Sequence, residues 1–244
     1  MLNDSTGKME QFILELAAPP VPTLASFVAG GNASALQALR MLVDGRLPHR
    51  VLYIWGQMGV GRTHLLKSVV DAAAAAGRSA AYLDARTLHA ESLLDAQLDL
   101  LAIDNIDGLS PPGEQAMFEW FTRRSGDAIL LAADCPPGSL NAREDVRTRF
   151  GSGIVFEVVP LSDAEKHAAL RAHAIARGLP DLDEVIQYLL ARTDRDMGML
   201  IAVIDALDRY SLSTKRPPTL ALVRQILRPP PTKTADGTDP VRPG

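Results

Sequence analysis

Of 244 residues only one is cysteine, Cys135. A lone thiol closes no internal disulfide, which excludes a disulfide-stapled scaffold. In the apolar stretch "ILLAADC" it reads as buried at a strand edge rather than as a reactive group. No apolar run approaches the ~18 residues of a membrane span. The start, "MLNDSTGKMEQFILEL", has neither the basic opening nor the small-residue cleavage site of a secretory leader. A cytoplasmic location with no membrane partner is therefore the expectation. Excess charge is missing too: the formal net charge is −4. That balance gives no general drive toward nucleic acid, so any contact with DNA needs a local basic patch. Lysine is scarce, with 5 against 20 arginines, as a GC-rich genome would produce. No internal repeat is visible.

What is present is an ordinary globular composition, 47% hydrophobic and 22% charged, with length enough for a large core. Residues 1–20 read as a tail: a polar lead, "QFILEL", and then "AAPPVP", whose prolines exclude a helix. Residues 229–244, "PPPTKTADGTDPVRPG", have almost no apolar content and are expected to be disordered. Between the tails, helix and strand patterns alternate. "NASALQALRMLVDG" and "THLLKSVVDAAAAAG" carry apolar residues at helical spacing and stop at Gly45 and Gly77. "PGEQAMFEWFTRR" is also helical. "RVLYIWG", "SAAYLDA", "LDLLAIDNI", "AILLAADCPP" and "GIVFEVVPL" are short apolar runs of the kind a buried strand shows. The expectation is an α/β core over residues 21–160, with a five-stranded parallel sheet covered by helices on both faces. From 161 to 228 only amphipathic helical segments follow, which implies a small all-helical subdomain. Ser162 with Glu165 is a capping box, and Asp181 with Glu184 suggests a similar start.

The stretch "GQMGVGRTH" lies between a predicted strand and a predicted helix and departs by one residue from the phosphate-loop pattern G-x-x-x-x-G-K-[ST]. Gly56, Gly61 and Thr63 fall in place, Gly59 adds a further tight position, and His64 opens the helix. Glycines let backbone N–H groups converge on a phosphate, and the helix N-terminus adds partial positive charge. Thr63 offers a hydroxyl to a magnesium ion. The competing reading is a strand-to-helix turn that binds nothing.

Arg62 stands where the lysine belongs. A forked guanidinium can neutralise a diphosphate through paired hydrogen bonds, but it is a poorer point charge between terminal phosphates. Further on, "LDLLAIDNI" ends its apolar run in Asp104, placed to orient magnesium. The next residue, where a hydrolytic site carries an acid to polarise water, is Asn105. Asp107 reads as a turn former before Gly108. Two softened catalytic positions together suggest a bound nucleotide that is kept rather than turned over.

Six stretches, in order, resemble the AAA+ proteins in the branch of the bacterial replication initiator DnaA, and most closely the Hda family of DnaA-homologous inactivators. They are "FVAGGN" (27–32), "LYIWGQMGVGRTHLL" (52–66), "LLAIDNI" (100–106), "RTRFGSG" (147–153), "PLSDAEK" (160–166) and "RTDRDMGML" (192–200). The resemblance implies an AAA+ core with a helical lid, ADP or ATP with magnesium as ligand, and a role for each matching residue. Val28 and Ala29 fall where the adenine is wrapped. Asp134 matches the sensor-1 position and Arg195 the sensor-2 arginine of the lid. Arg149 matches the arginine finger, which enters a neighbouring subunit's nucleotide site. Read from the residues alone, Arg149 is better explained as a surface ion-pair partner for Glu144 or Asp145, and Arg195 could be a salt-bridged helix cap between Asp194 and Asp196. Arg147 is a second candidate contact.

Hda-family chains also carry a short N-terminal peptide for the polymerase sliding clamp (its β subunit). Gln11, Leu14 and Leu16 match that pattern, with Phe12 departing from leucine. DnaA continues past its lid into a helix-turn-helix domain, whereas this sequence runs into a proline-rich stretch, so no sequence-specific DNA reader is expected. The implied function is negative regulation of replication initiation. Clamp on DNA recruits the protein, which then supplies Arg149 in trans to initiator-bound ATP. The rivals are an autonomous P-loop ATPase that loads or remodels a partner, and a clamp-tethered adaptor that stimulates nothing. A homo-oligomer is left open.

Overall fold

The computed structural model describes residues 21–88, 97–123, 126–192, 197–215 and 217–226. Five strands form one parallel sheet: β1 (Val51–Trp55), β2 (Ala80–Asp84), β3 (Leu100–Asp104), β4 (Ala128–Ala133) and β5 (Ile154–Glu157). Their spatial order is β2-β3-β4-β1-β5. Every neighbouring pair is parallel, with Leu52 opposite both Leu130 and Ile154, and Leu101 opposite Ile129. The central strands are apolar throughout because both of their faces are covered. Successive side chains point to opposite faces, and the core divides accordingly. Leu52, Ile54, Leu100, Ala102, Leu130 and Ala132 pack with α1 (Ala33–Val43) and α2 (Arg62–Ala75). Tyr53, Leu101, Ile103, Ile129 and Leu131 pack with Met117, Trp120 and Phe121 of α3 (Pro111–Arg123) and Val146 and Phe150 of α4 (Glu144–Phe150). Thus the expected α/β/α sandwich forms, with all five strands in the expected stretches.

A separate apolar cluster holds the helical part. Leu170 and Ala174 come from α5 (Asp163–Ala176), Val185, Ile186 and Leu189 from α6 (Asp183–Arg192), Leu200, Ile204 and Leu207 from α7 (Met197–Thr214), and Val223 from α8 (Leu220–Ile226). The Ser162 capping box is formed: Glu165 N–H donates to Ser162 Oγ at 3.3 Å, and Ser162 N–H donates to Glu165 Oε2 at 2.8 Å. The second predicted cap is displaced. Helix α6 starts at Asp183, and the Leu182 carbonyl accepts from Ile186 N–H at 2.8 Å. Leu182 occupies that end because its side chain is 2% exposed in the lid core, and burial outweighs the capping preference of Asp181. The sequence reading also missed α4, a seven-residue helix too short to show a period. The tails at 1–20 and 229–244 lie outside the described residues.

Where the core hands over to the lid, Asn32 clamps the chain. Its side chain donates to Val159 O at 2.9 Å and accepts from Val159 N–H at 2.8 Å, 127 positions away. Residues 27–32 are thereby fixed beside the end of β5. No helix among the described residues is long and apolar enough to cross a membrane.

Candidate nucleotide site

The carboxyl ends of β1, β3 and β4 meet at one edge of the sheet, where open α/β folds place ligands. The loop after β1 turns through two left-handed glycines, Gly59 (φ +86°) and Gly61 (φ +97°), the second standing at the N-cap of α2 with no side-chain cap. A Cβ at Gly61 would lie 2.8 Å from Phe27 Cε2, so glycine is demanded there by both backbone angle and space. At Gly56 an added Cβ would strike the Val158 carbonyl. The loop is thus packed between the 23–27 segment and the end of β5.

Thr63 and Asp104, 41 positions apart, meet directly: Thr63 Oγ1 donates to Asp104 Oδ2 at 2.6 Å. Asp104 is 1% exposed yet well supplied, with Tyr82 Oη donating at 3.1 Å and Asn105 N–H at 2.9 Å. The Tyr82 hydroxyl is in turn pushed far above its usual range, by burial first and then by the Asp104 charge. Asn105 adopts φ +54°, and its side-chain amide donates to Asp84 Oδ2 at 3.1 Å. Asp84 also takes three hydrogen bonds from Arg86, which hold its carboxyl down to about 2. The residue after Asp104 is therefore an amide committed to a neighbouring carboxylate and has no basic oxygen to offer water.

Arg62 runs inward. Its side chain is 11% exposed, with Nη1 at 3.6 Å from Asp134 Oδ1. Nη1 is buried and has no hydrogen-bond partner among the described residues. Behind Asp134 stands Asp107, whose Oδ1 accepts the Asp134 N–H at 3.3 Å. Burial, and then the side-chain contact between the two carboxyls, push the Asp107 carboxyl up, against the pull of the Asp134 N–H. The same carboxyl–carboxyl contact, and the Arg62 charge, hold Asp134 down. Asp107 is thus more than a turn former: it holds the backbone at the end of β4, a role that no local pattern in "DNIDG" signals. Cys135 is half-buried just past β4; its carbonyl accepts from Tyr53 Oη at 2.8 Å, and burial pushes its thiol up, away from nucleophile chemistry.

His64 faces away from this carboxylate cluster. Its Nε2 lies 3.0 Å from Thr23 O and 3.3 Å from Ser26 Oγ, and its ring is 5.8 Å from that of Phe27. It ties the segment leading to Val28 and Ala29 onto the first turn of α2. Those two residues are half-buried, and Ala29 packs on the α1–α2 side of the sheet. Gly59, Gly61, Arg62, Thr63, Asp104 and Asp134 therefore converge, and Val28 and Ala29 join them through Phe27. Among the described residues no three His, Cys, Asp or Glu side chains could hold a metal.

The backbone as a whole matches solved replication initiators. It resembles a DNA replication initiation factor with 25% identity and TM-score 0.63, covering 80% of this chain and 68% of that one. Domain III of the Thermotoga maritima initiation protein DnaA matches with 23% identity and TM-score 0.68, over 85% of this chain and 96% of the other. AMPPCP-bound DnaA from Aquifex aeolicus gives 23% identity and TM-score 0.62, over 80% and 70%. Residues 163–227, the helical part, match the family described as Hda, lid domain. The helical part is thus similar to an Hda lid domain, and the fold is similar to that of the solved initiators.

Arg149 stands apart from the phosphate-loop cluster, on the α3–α4 face of the sheet. It sits in the last turn of α4, with its guanidinium 4.6 Å above the Phe118 ring. The ion pairs weighed for it are not formed: Asp145 pairs with Arg143 at 2.7 Å, and Arg149 has no carboxylate partner among the described residues. Arg143, Glu144, Asp145, Thr148 and Arg149 line a shallow, open hollow of ≈ 670 Å³. Arg195 and the peptide positions Gln11, Phe12, Leu14 and Leu16 lie outside the described residues.

Proposed function

We propose that this protein is a negative regulator of replication initiation that keeps ADP or ATP as a resident ligand and stimulates hydrolysis of ATP held by the initiator DnaA. The observation that carries the reading is Arg149: a guanidinium without a carboxylate partner among the described residues, beside an open hollow, on a helix that packs on the sheet face opposite the phosphate-loop helix. An arginine delivered in trans stabilises transition-state charge, an effect on the order of 10³–10⁵ in rate for GTPases. The chemistry then occurs in the partner's pocket.

The resident site supports binding more than turnover. Gly56, Gly59, Gly61, Arg62, Thr63 and His64 form or brace the phosphate loop, Val28 and Ala29 the adenine wall, and Asp134 and Arg195 the two sensor positions. The Aquifex aeolicus relative is bound to AMPPCP, which supports an adenine nucleotide here. Thr63 Oγ1 and Asp104 Oδ2 are adjacent hard oxygens suited to magnesium, which when bound would supply charge neutralisation to the phosphates. Asn105, held by Asp84, argues against an autonomous ATPase. Recruitment is assigned to Gln11, Phe12, Leu14 and Leu16 on the sliding clamp. The proposed division is a tail at 1–20, the nucleotide-binding domain at 21–160, the lid at 161–228 and a second tail at 229–244.

The test follows initiator-bound ATP over time, with this protein and DNA-loaded clamp added separately and together. Loss of ATP should be fast only with both. Arg149→Ala should abolish the stimulation while clamp binding persists. Unchanged stimulation by Arg149→Ala would remove the finger, and turnover by the purified protein alone would favour the autonomous ATPase.

A further inference from the structure

Resting on that reading, we propose that Phe118 is the positioning residue of Arg149: its ring face seats the guanidinium and aims it without neutralising it. Phe118 is half-buried on α3 and packs against the core beneath α3 and α4. Its ring meets both ends of α4. The Arg149 guanidinium carbon is 4.6 Å from the ring centroid in the last turn, and that of Arg143 is 5.6 Å away at the N-cap.

The two arginines are held differently. Arg143 is locked: its N–H donates to Glu114 Oε2 at 3.0 Å, Nη1 to Gln115 Oε1 at 2.8 Å and Nη2 to Asp145 Oδ2 at 2.7 Å. These bonds fix the start of α4 on α3. Arg149 is left with the aromatic face, and the Arg50 charge lies near enough for mutual repulsion. A carboxylate in place of the ring would pair bidentately with Arg149 and compete with any incoming phosphate. An aromatic face attracts the cation weakly, leaves its in-plane N–H donors free, and restricts its rotamers. That combination suits an arginine that must be ordered before a partner docks and transferable once it does.

The experiment measures loss of initiator-bound ATP over a range of concentrations of the full chain, in the presence of DNA-loaded clamp. Phe118→Leu should lower the saturating rate about two- to five-fold, the strength of an exposed cation–π contact, with the half-saturating concentration unchanged. Phe118→Trp should restore the rate. Equal urea midpoints of the single variants establish that each is folded; if Phe118→Leu is not, Phe118→Met takes its place. A change confined to the half-saturating concentration, a Trp variant as slow as Leu, or a full rate for Leu overturns the assignment while leaving the finger standing. If Arg149→Ala itself stimulates normally, the finger and its seat both fall.

Discussion

Replacing Thr63 by valine keeps the shape of the side chain and removes one hydroxyl. That hydroxyl donates at 2.6 Å to Asp104, whose side chain is buried with the residue 1% exposed. A hydrogen bond to a charged group contributes about 1.5–3 kcal/mol. Two other donors remain, Tyr82 Oη at 3.1 Å and Asn105 N–H at 2.9 Å, so the carboxylate is weakened rather than orphaned. The expected cost is therefore in the lower half of that range, about 2 kcal/mol. For a chain of this size that is a fall in melting temperature of roughly 4–8 °C. The two tryptophans, Trp55 and Trp120, both pack in the α/β core, so their fluorescence reports this part of the molecule. Melting in EDTA without nucleotide isolates the hydrogen bond. Melting with nucleotide and magnesium then tests the ligand site, where a site filled at 100 times its Kd adds about 2.7 kcal/mol to the wild type. Thr63→Val should lose the magnesium-dependent share of that gain. Identical melting of variant and wild type in EDTA, together with an intact magnesium effect, would refute both the energetic account and the assignment of the Thr63–Asp104 pair.

Gly61→Ala imposes φ +97° on an alanine and drives its Cβ toward Phe27; a loss of about 1–3 kcal/mol and of nucleotide binding is expected by calorimetry, and normal binding would count against the loop. Asp84 titrates at about 2 in the folded chain against 3.8 ordinarily, chiefly through Arg86. Since the folded pKa is the lower one, its contribution is complete above pH 4 and disappears as pH falls toward 2. Asp84→Asn should therefore flatten that acid limb in urea midpoints, and an unchanged slope would sink the assignment. Ser162→Ala breaks the capping box at the start of the lid and should cost about 1 kcal/mol, seen as faster amide exchange in α5, while exchange in β1 and β3 stays the same. Asn105→Asp would set a second carboxylate against Asp84, so it should fail to create an ATPase; appreciable turnover by that variant would contradict the description of this corner.

Much of this protein was legible before any coordinates, because the signals are local. Strands β1, β3 and β4 announced themselves as short apolar runs, the Ser162–Glu165 box marked the start of α5, and Gly77 at φ +79° ended the run that became α2. Such patterns depend on a few contiguous residues and the 2.0 and 3.6 periods of the backbone. The weak points were local as well: seven residues of α4 carry too little periodicity, and burial of Leu182 overrode Asp181 as a cap.

Only the tertiary structure decided which of these pieces meet. The order β2-β3-β4-β1-β5 places the ends of β1, β3 and β4 side by side, and through it Thr63 reaches Asp104 and Arg62 reaches Asp134. The same packing joined Asp107 to Asp134, His64 to the Thr23–Phe27 segment, and Phe118 to Arg149. None of these pairings has a fixed sequence spacing. Each arises because parallel strands must be joined by crossovers, which bring together residues that no local window contains.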